Sequence, residues 1–153
     1  MRVDHTLGFS LSLPAGWRVI SDPSPEVLIV GYAPPDATGF SRNVTVSGGL
    51  CPPAWHDPAA WQEASVRGLW EILEEPQLLD AVCDGDSVRQ LISYVKDQRC
   101  LTVEQWMLTW QKQNELYSVT ISFTTPTLQY GRYADEATAI AGSWRPDPHG
   151  ASQ

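Results

Sequence analysis

Histidine, cysteine, serine and paired carboxylates are the side chains here that could do chemistry, and their spacing decides what chemistry is open. His5, His56 and His149 are scattered along the chain. No H-E-x-x-H or other pair at ligand spacing occurs, and a metal site needs several convergent donors. Cys51, Cys83 and Cys100 are odd in number and far apart. That fits neither a disulfide framework nor a paired-cysteine zinc site. They read as free thiols, buried or half-buried as free cysteine usually is, with one Cys pair and a spare thiol as the alternative. Asp84-Gly85-Asp86-Ser87 has carboxylates for a hard cation but lacks the EF-hand spacing and its distal Glu, so it reads as a hairpin turn. A serine nucleophile needs a positioned base and an orienting acid, and no G-x-S-x-G elbow occurs. Gly48-Gly49 is no phosphate-cradling loop and reads as a turn that ends a strand. The expectation is a non-enzyme with no catalytic residues, no cofactor and no metal.

Three features carry a binding reading instead. Cys51-Pro52-Pro53-Ala54-Trp55-His56-Asp57 sets a large aromatic among prolines, which lower the entropic cost of presenting it to a partner. Tryptophan is also enriched in binding hot spots. The competing reading folds Trp55 back over the next helix as a hydrophobic staple. Trp106, Leu108 and Trp110 share one strand face, which lines either a partner groove or the core beneath a helix. Glu71, Glu74, Glu75, Asp80, Asp84 and Asp86 form a carboxylate-rich stretch with only Arg89 nearby. It is either a solvated surface or a receptor for a basic partner. The partner-binding candidates are therefore Trp55, His56, Trp106, Trp110, Glu71, Glu74 and Glu75.

The net charge is −8, with ten Lys and Arg spread along 153 residues. Nucleic-acid binding needs clustered positive charge, so that class is excluded, and anionic lipid surfaces are disfavoured for the same reason. A protein partner chosen by charge is neutral or basic, and a homodimer is compatible with the composition. No stretch approaches the ~20 apolar residues of a membrane span. The opening residues MRVDHTLGFSLSL alternate apolar with polar residues, unlike a signal peptide. The expected location is the cytoplasm, with a trimmed exported domain as the alternative.

These residues must be positioned by one domain, since the chain length suits one and 42% apolar residues supply a core. Phe9–Leu13 alternates strictly and predicts a strand, Pro14-Ala15-Gly16 turns it, and Trp17–Ile20 begins another. Val27–Val30 and Asn43–Ser47 add two more. Asp57 and Pro58 start a helix that ends before Pro76. In it, Val66, Leu69, Trp70 and Leu73 form the stripe expected to lie on the sheet. From Leu78 to Thr124 the pattern predicts a meander of long strands, with turns at Asp84-Gly85-Asp86, Asp97-Gln98 and Gln113-Asn114. A second helix runs from Thr125-Pro126 to about Gly142, with Tyr133, Ala137, Ile140, Ala141 and Trp144 on one stripe. The fold class is α+β: a twisted, mostly antiparallel sheet of about six to seven strands with two main helices over its faces. The single domain spans 1–146, and 147–153 reads as a disordered tail.

Three stretches resemble the PsbP-like superfamily. Phe9–Trp17 reads F-S-L-S-L-P-A-G-W, where the family shows an apolar strand followed by P-x-G-W. Arg42-Asn43-Val44-Thr45-Val46 is similar to its N-[VI]-x-[VI] strand, and Val119–Trp144 to its closing strand, turn and helix. The likeness covers about residues 7–146, and its texture is closest to LpqN-type actinobacterial proteins, with DcrB-like secretion chaperones as relatives. The chain departs from the LpqN type in lacking a signal peptide and a lipobox cysteine. The resemblance implies an α/β/α sandwich and a non-enzymatic accessory or chaperone-like role, with no family-wide catalytic residues to carry over. The alternative is a small-molecule or lipid binder with a pocket between sheet and helix.

Overall fold

A computed structural model describes residues 1–85 and 87–147. The strands are β1 (Arg2–His5), β2 (Phe9–Ser12), β3 (Arg18–Ser21), β4 (Val27–Tyr32), β5 (Asn43–Leu50), β6 (Glu74–Asp84), β7 (Ser87–Lys96), β8 (Arg99–Lys112), β9 (Glu115–Pro126) and β10 (Arg145–Pro146). The helices are α1 (Pro58–Ile72) and α2 (Tyr130–Gly142), each preceded by a short 3-10 turn. Among the described residues, seven strands form one antiparallel sheet in the order β3-β4-β5-β9-β8-β7-β6. A second sheet, β1-β2-β10, was not expected from the sequence. Here the N-terminal ammonium donates to the Leu13 carbonyl oxygen at 2.8 Å, tying down a strand too polar to stand out by pattern.

Turn chemistry builds the long meander. Asp97-Gln98 and Gln113-Asn114 all have positive φ, the backbone of a two-residue hairpin whose twist matches its strands. Gly85, at φ +59°, joins β6 to β7, while Asp86 lies outside the described residues, as do His149 and positions 148–153 of the expected tail.

Alternation along the strands sorts side chains to two faces. On one face Val44, Val46, Val119, Ile121 and Phe123 meet Phe9, Leu11 and Leu13 from the small sheet and Ala137, Ile140 and Trp144 from the α2 region. This is the main core. On the opposite face Trp61 of α1 meets Val88 and Met107, a far smaller cluster. The helices thus cover opposite faces, but unequally.

Polar clamps fix α2 to the sheet. Arg42 donates to Glu136 at 2.6 and 2.9 Å, and its guanidinium lies 3.9 Å from the Tyr133 ring centroid. The loop before β5 is held by Asp36, whose carboxylate accepts bonds from Thr38, Phe40 and Gln129. The Thr38 hydroxyl bond, followed by that of Gln129, pulls the Asp36 carboxyl from its usual 3.8 to about 2. A depressed folded-state pKa contributes stability present above pH 3.8 and lost as pH falls through about 2. An NMR titration should show the Asp36 carboxyl carbon still ionised at pH 3. A midpoint near 4 would remove this loop clamp.

Three expectations are corrected. Gly48-Gly49 is not a turn: both lie inside β5, paired with Val119 and Ser118. Their φ values of 152° and 155° fall where L side chains are strained, and a Cβ at Gly48 would sit 2.1 Å from the Ser118 carbonyl oxygen. Gly48→Ala should therefore cost about 2 kcal/mol or more, read from the urea midpoint. Second, the stripe of α1 is shifted. Trp61 is its buried residue, whereas Val66, Leu69 and Leu73 are half-buried and Trp70 is exposed. Third, only Cys51 is buried, and Cys83 and Cys100 are exposed free thiols.

Candidate functional site

The residues singled out by sequence separate into three places. Trp110 is a core residue. Its ring meets Phe9 and Trp144 edge-on and stacks on Tyr117, so it offers no surface to a partner. Trp106 is half-buried against the same core. Trp55 and His56 lie just before α1, and Asp57 caps that helix by accepting from the Ala59 N–H at 3.1 Å. Trp55 is half-buried against the Trp61, Val88 and Met107 cluster. His56 Nε2 is 3.3 Å from the Cys51 carbonyl oxygen. Glu71, Glu74 and Glu75 are exposed where α1 passes into β6.

Trp55 and Trp61 wall a groove of about 550 Å³ between α1 and the sheet. Its floor is polar because the outward positions of β5 and β9 are small: Ser47, Gly49, Ser118 and Thr120 line it. Beside them runs a hydrogen-bonded chain. Gln90 Nε2 donates to Ser65 Oγ at 3.0 Å and to Gln105 Oε1 at 2.8 Å, and Gln105 Nε2 donates to Ser122 Oγ at 3.0 Å. Gln90 is wholly buried, yet its Oε1 has no partner among the described residues, nor has the buried Gln62 Nε2. Such orphans are costly, so this face is polar at the expense of stability.

The second surface is the outer edge. β6 ends the sheet, and every residue in it but Pro76 is exposed. Leu78, Leu79 and Val82 are 44, 52 and 46% exposed. Neighbouring α1 adds Trp70 at 39% and Ile72 at 77%. Glu71, Glu74 and Glu75, also exposed, lie beside these apolar residues along the chain, and Asp80 bonds Arg89 at 2.9 Å. Sequence reasoning missed this apolar group because acids interrupt it and because both faces of β6 are exposed. The signal was Leu78-Leu79 and Val82 lying among carboxylates without a partner helix to cover them. Trp61 and the Gln90–Gln105 chain were also missed, since polar side chains on a buried strand face mimic a solvated one.

Among the described residues no cluster of three or more His, Cys, Asp or Glu is placed to hold a metal, and no helix is long and apolar enough to cross a membrane. The chain's sequence matches no family model and no curated protein. Its structure, however, resembles solved ones. It superposes on LpqN of Mycobacterium tuberculosis, a protein involved in cell envelope biogenesis, with a TM-score of 0.72 at 18% identity, covering 97% of this chain and 90% of that one. The Ran-binding protein Mog1p of Saccharomyces cerevisiae gives a TM-score of 0.62 at 14% identity, covering 95% and 94%. Cyanobacterial PsbP from Synechocystis gives 0.57 at 16%, covering 95% and 91%. The chain, with two helices on a seven-stranded antiparallel sheet, therefore shares the α+β fold of these PsbP/Mog-like structures over nearly its whole length.

Proposed function

We propose that the chain is a non-catalytic, protein-binding accessory module that docks its partner on the wing formed by β6 and the end of α1. The observation that carries this is the set of large apolar side chains left exposed at this edge, Leu78, Leu79 and Val82 on the two faces of β6 and Trp70 and Ile72 at the adjoining end of α1. Apolar exposure of this kind marks interaction sites. The exposed carboxylates of Glu71, Glu74 and Glu75 and the net charge of −8 favour a neutral or basic partner surface. Mog1p, similar in fold, is a Ran-binding protein, which supports a protein-binding use of this scaffold. A tagged pull-down from the native host, at low and high salt, tests the reading. Wild type should retain one stoichiometric partner, and a Leu79→Ser/Val82→Ser double variant should retain at least tenfold less. Both sites are exposed, so folding should change little. Equal capture by the two proteins would overturn the reading.

One observation favours a second reading, a small-molecule binder. The groove between α1 and the sheet joins two tryptophan walls to a hydroxyl-rich floor, with the unpartnered Gln90 Oε1 close by. Ligand sites combine apolar walls with a few placed polar groups in this way. Native mass spectrometry of the purified protein should then show a co-purifying mass that Trp55→Ala removes. A mass equal to that of the bare chain in both proteins would remove this reading.

A further inference from the structure

Among the described residues the wing ends in an unpaired strand edge, and its chemistry specifies more than a generic partner. β6 has eleven residues, whereas edge strands are commonly kept short. Its first half is irregular: the register shifts between Glu74 and Gln77 and again between Leu78 and Asp80, and Pro76 lies within it. Its second half is regular, with Asp80–Asp84 pairing in unbroken register with Leu91–Ser87. On the outer side of that regular stretch the Ala81 N–H bonds the Asp80 carboxylate of its own strand at 2.9 Å. The other Asp80 oxygen accepts from Arg89 at 2.9 Å. The backbone donor is thus satisfied by a side chain that can move, not by a neighbouring strand.

The two faces of this stretch differ. Ala81 and Cys83 stand opposite Gln90 and Val88, on the α1 side. Asp80, Val82 and Asp84 alternate with them and stand on the other side. A second copy of this chain is a poor occupant. Its β6 carries four carboxylates, Glu74, Glu75, Asp80 and Asp84, and no Lys or Arg to meet the same acids on this edge. Like charges directly opposite are destabilising.

We propose that Asp80–Asp84 of β6 accepts an extended segment of the partner as an eighth strand, and that this segment alternates basic and apolar residues. Its apolar side chains lie over Ala81 and Cys83, and its Lys or Arg residues meet Asp80 and Asp84. A cation that engages Asp80 draws the carboxylate away and frees the Ala81 N–H for a backbone bond, so charge recognition and strand pairing are coupled. Strand addition of this kind draws affinity from main-chain bonds and specificity from alternate side chains. The inference rests on the protein-binding reading of the wing.

The test uses the full 15N-labelled chain and three blocked octapeptides. One alternates lysine and valine, one carries the same residues in two blocks, and one is the alternating peptide N-methylated at every valine. The alternating peptide should slow hydrogen exchange of the Ala81 and Cys83 amides at least tenfold, while the block and N-methylated peptides leave it unchanged. No slowing by the alternating peptide, or equal slowing by all three, would overturn strand addition. If that happens while Leu79→Ser/Val82→Ser still loses the native partner, the wing remains a docking surface of another kind. If partner capture is also unaffected, both readings fall.

Discussion

Trp110→Ala is expected to destabilise the protein by about 3–5 kcal/mol, the range for removing a large aromatic from a packed core. The indole sits where the small sheet, the main sheet and the chain after α2 meet, touching Phe9, Tyr117 and Trp144 at centroid distances of 5.9, 5.5 and 5.6 Å. These rings come from different elements, so no single neighbour can move to fill the space. The Trp110 indole N–H has no partner among the described residues, so truncation forfeits packing and no hydrogen bond. Trp110→Phe should cost much less. Urea unfolding of both variants measures the difference. A loss below about 1 kcal/mol for alanine would mean that the site collapses freely, contrary to the packing.

Glu104→Ala should cost about 3 kcal/mol, at the low end for breaking a buried ion pair. Glu104 is 1% exposed and accepts from Arg89 Nε at 2.5 Å and from the Tyr130 hydroxyl at 3.0 Å. Burial works against the Arg89 charge, but its bonds to Glu104 and Asp80 outweigh that and hold the guanidinium above its usual range. The loss stays at the low end because Arg89 is partly exposed and keeps Asp80 as a partner. Glu104→Leu/Arg89→Leu, which removes both charges, should recover much of it. A double-mutant cycle by urea unfolding reads the coupling. If the double variant is as unstable as the sum of the singles, the two side chains do not act as a pair.

Much of the fold was legible in particular residues. Strict alternation from Tyr117 to Phe123 marked the central strand β9, and Asp57-Pro58 marked the start of α1. The stripe Tyr133, Ala137, Ile140 and Trp144 marked the packing side of the closing helix. What stayed hidden has physical causes. Gly48-Gly49 looks like a turn because glycine usually supplies one, yet here it lets β5 pass within contact of the β9 backbone. β1 and β10 are too short and polar to show a period. The stripe chosen for α1 followed spacing among its aliphatic residues, whereas the helix docks through Trp61 near its first turn and through Ser65, which meets Gln90. The proposed docking surface was only half visible: the carboxylates of Glu71, Glu74 and Glu75 stood out, but the exposure of Leu78, Leu79 and Val82 on the two faces of β6, and of Trp70 and Ile72 beside it, emerged only with β6 placed at the sheet edge.

The central claim is that partners meet this protein on the β6 wing, and site-specific photocrosslinking in the native host tests it most directly. A photoreactive residue at Val82, and in a second protein at the exposed Asp135 of α2, reports what each surface touches. The account predicts one dominant protein adduct from position 82 and none of the same mass from position 135. No adduct at 82, or the same adduct pattern from both positions, would contradict it.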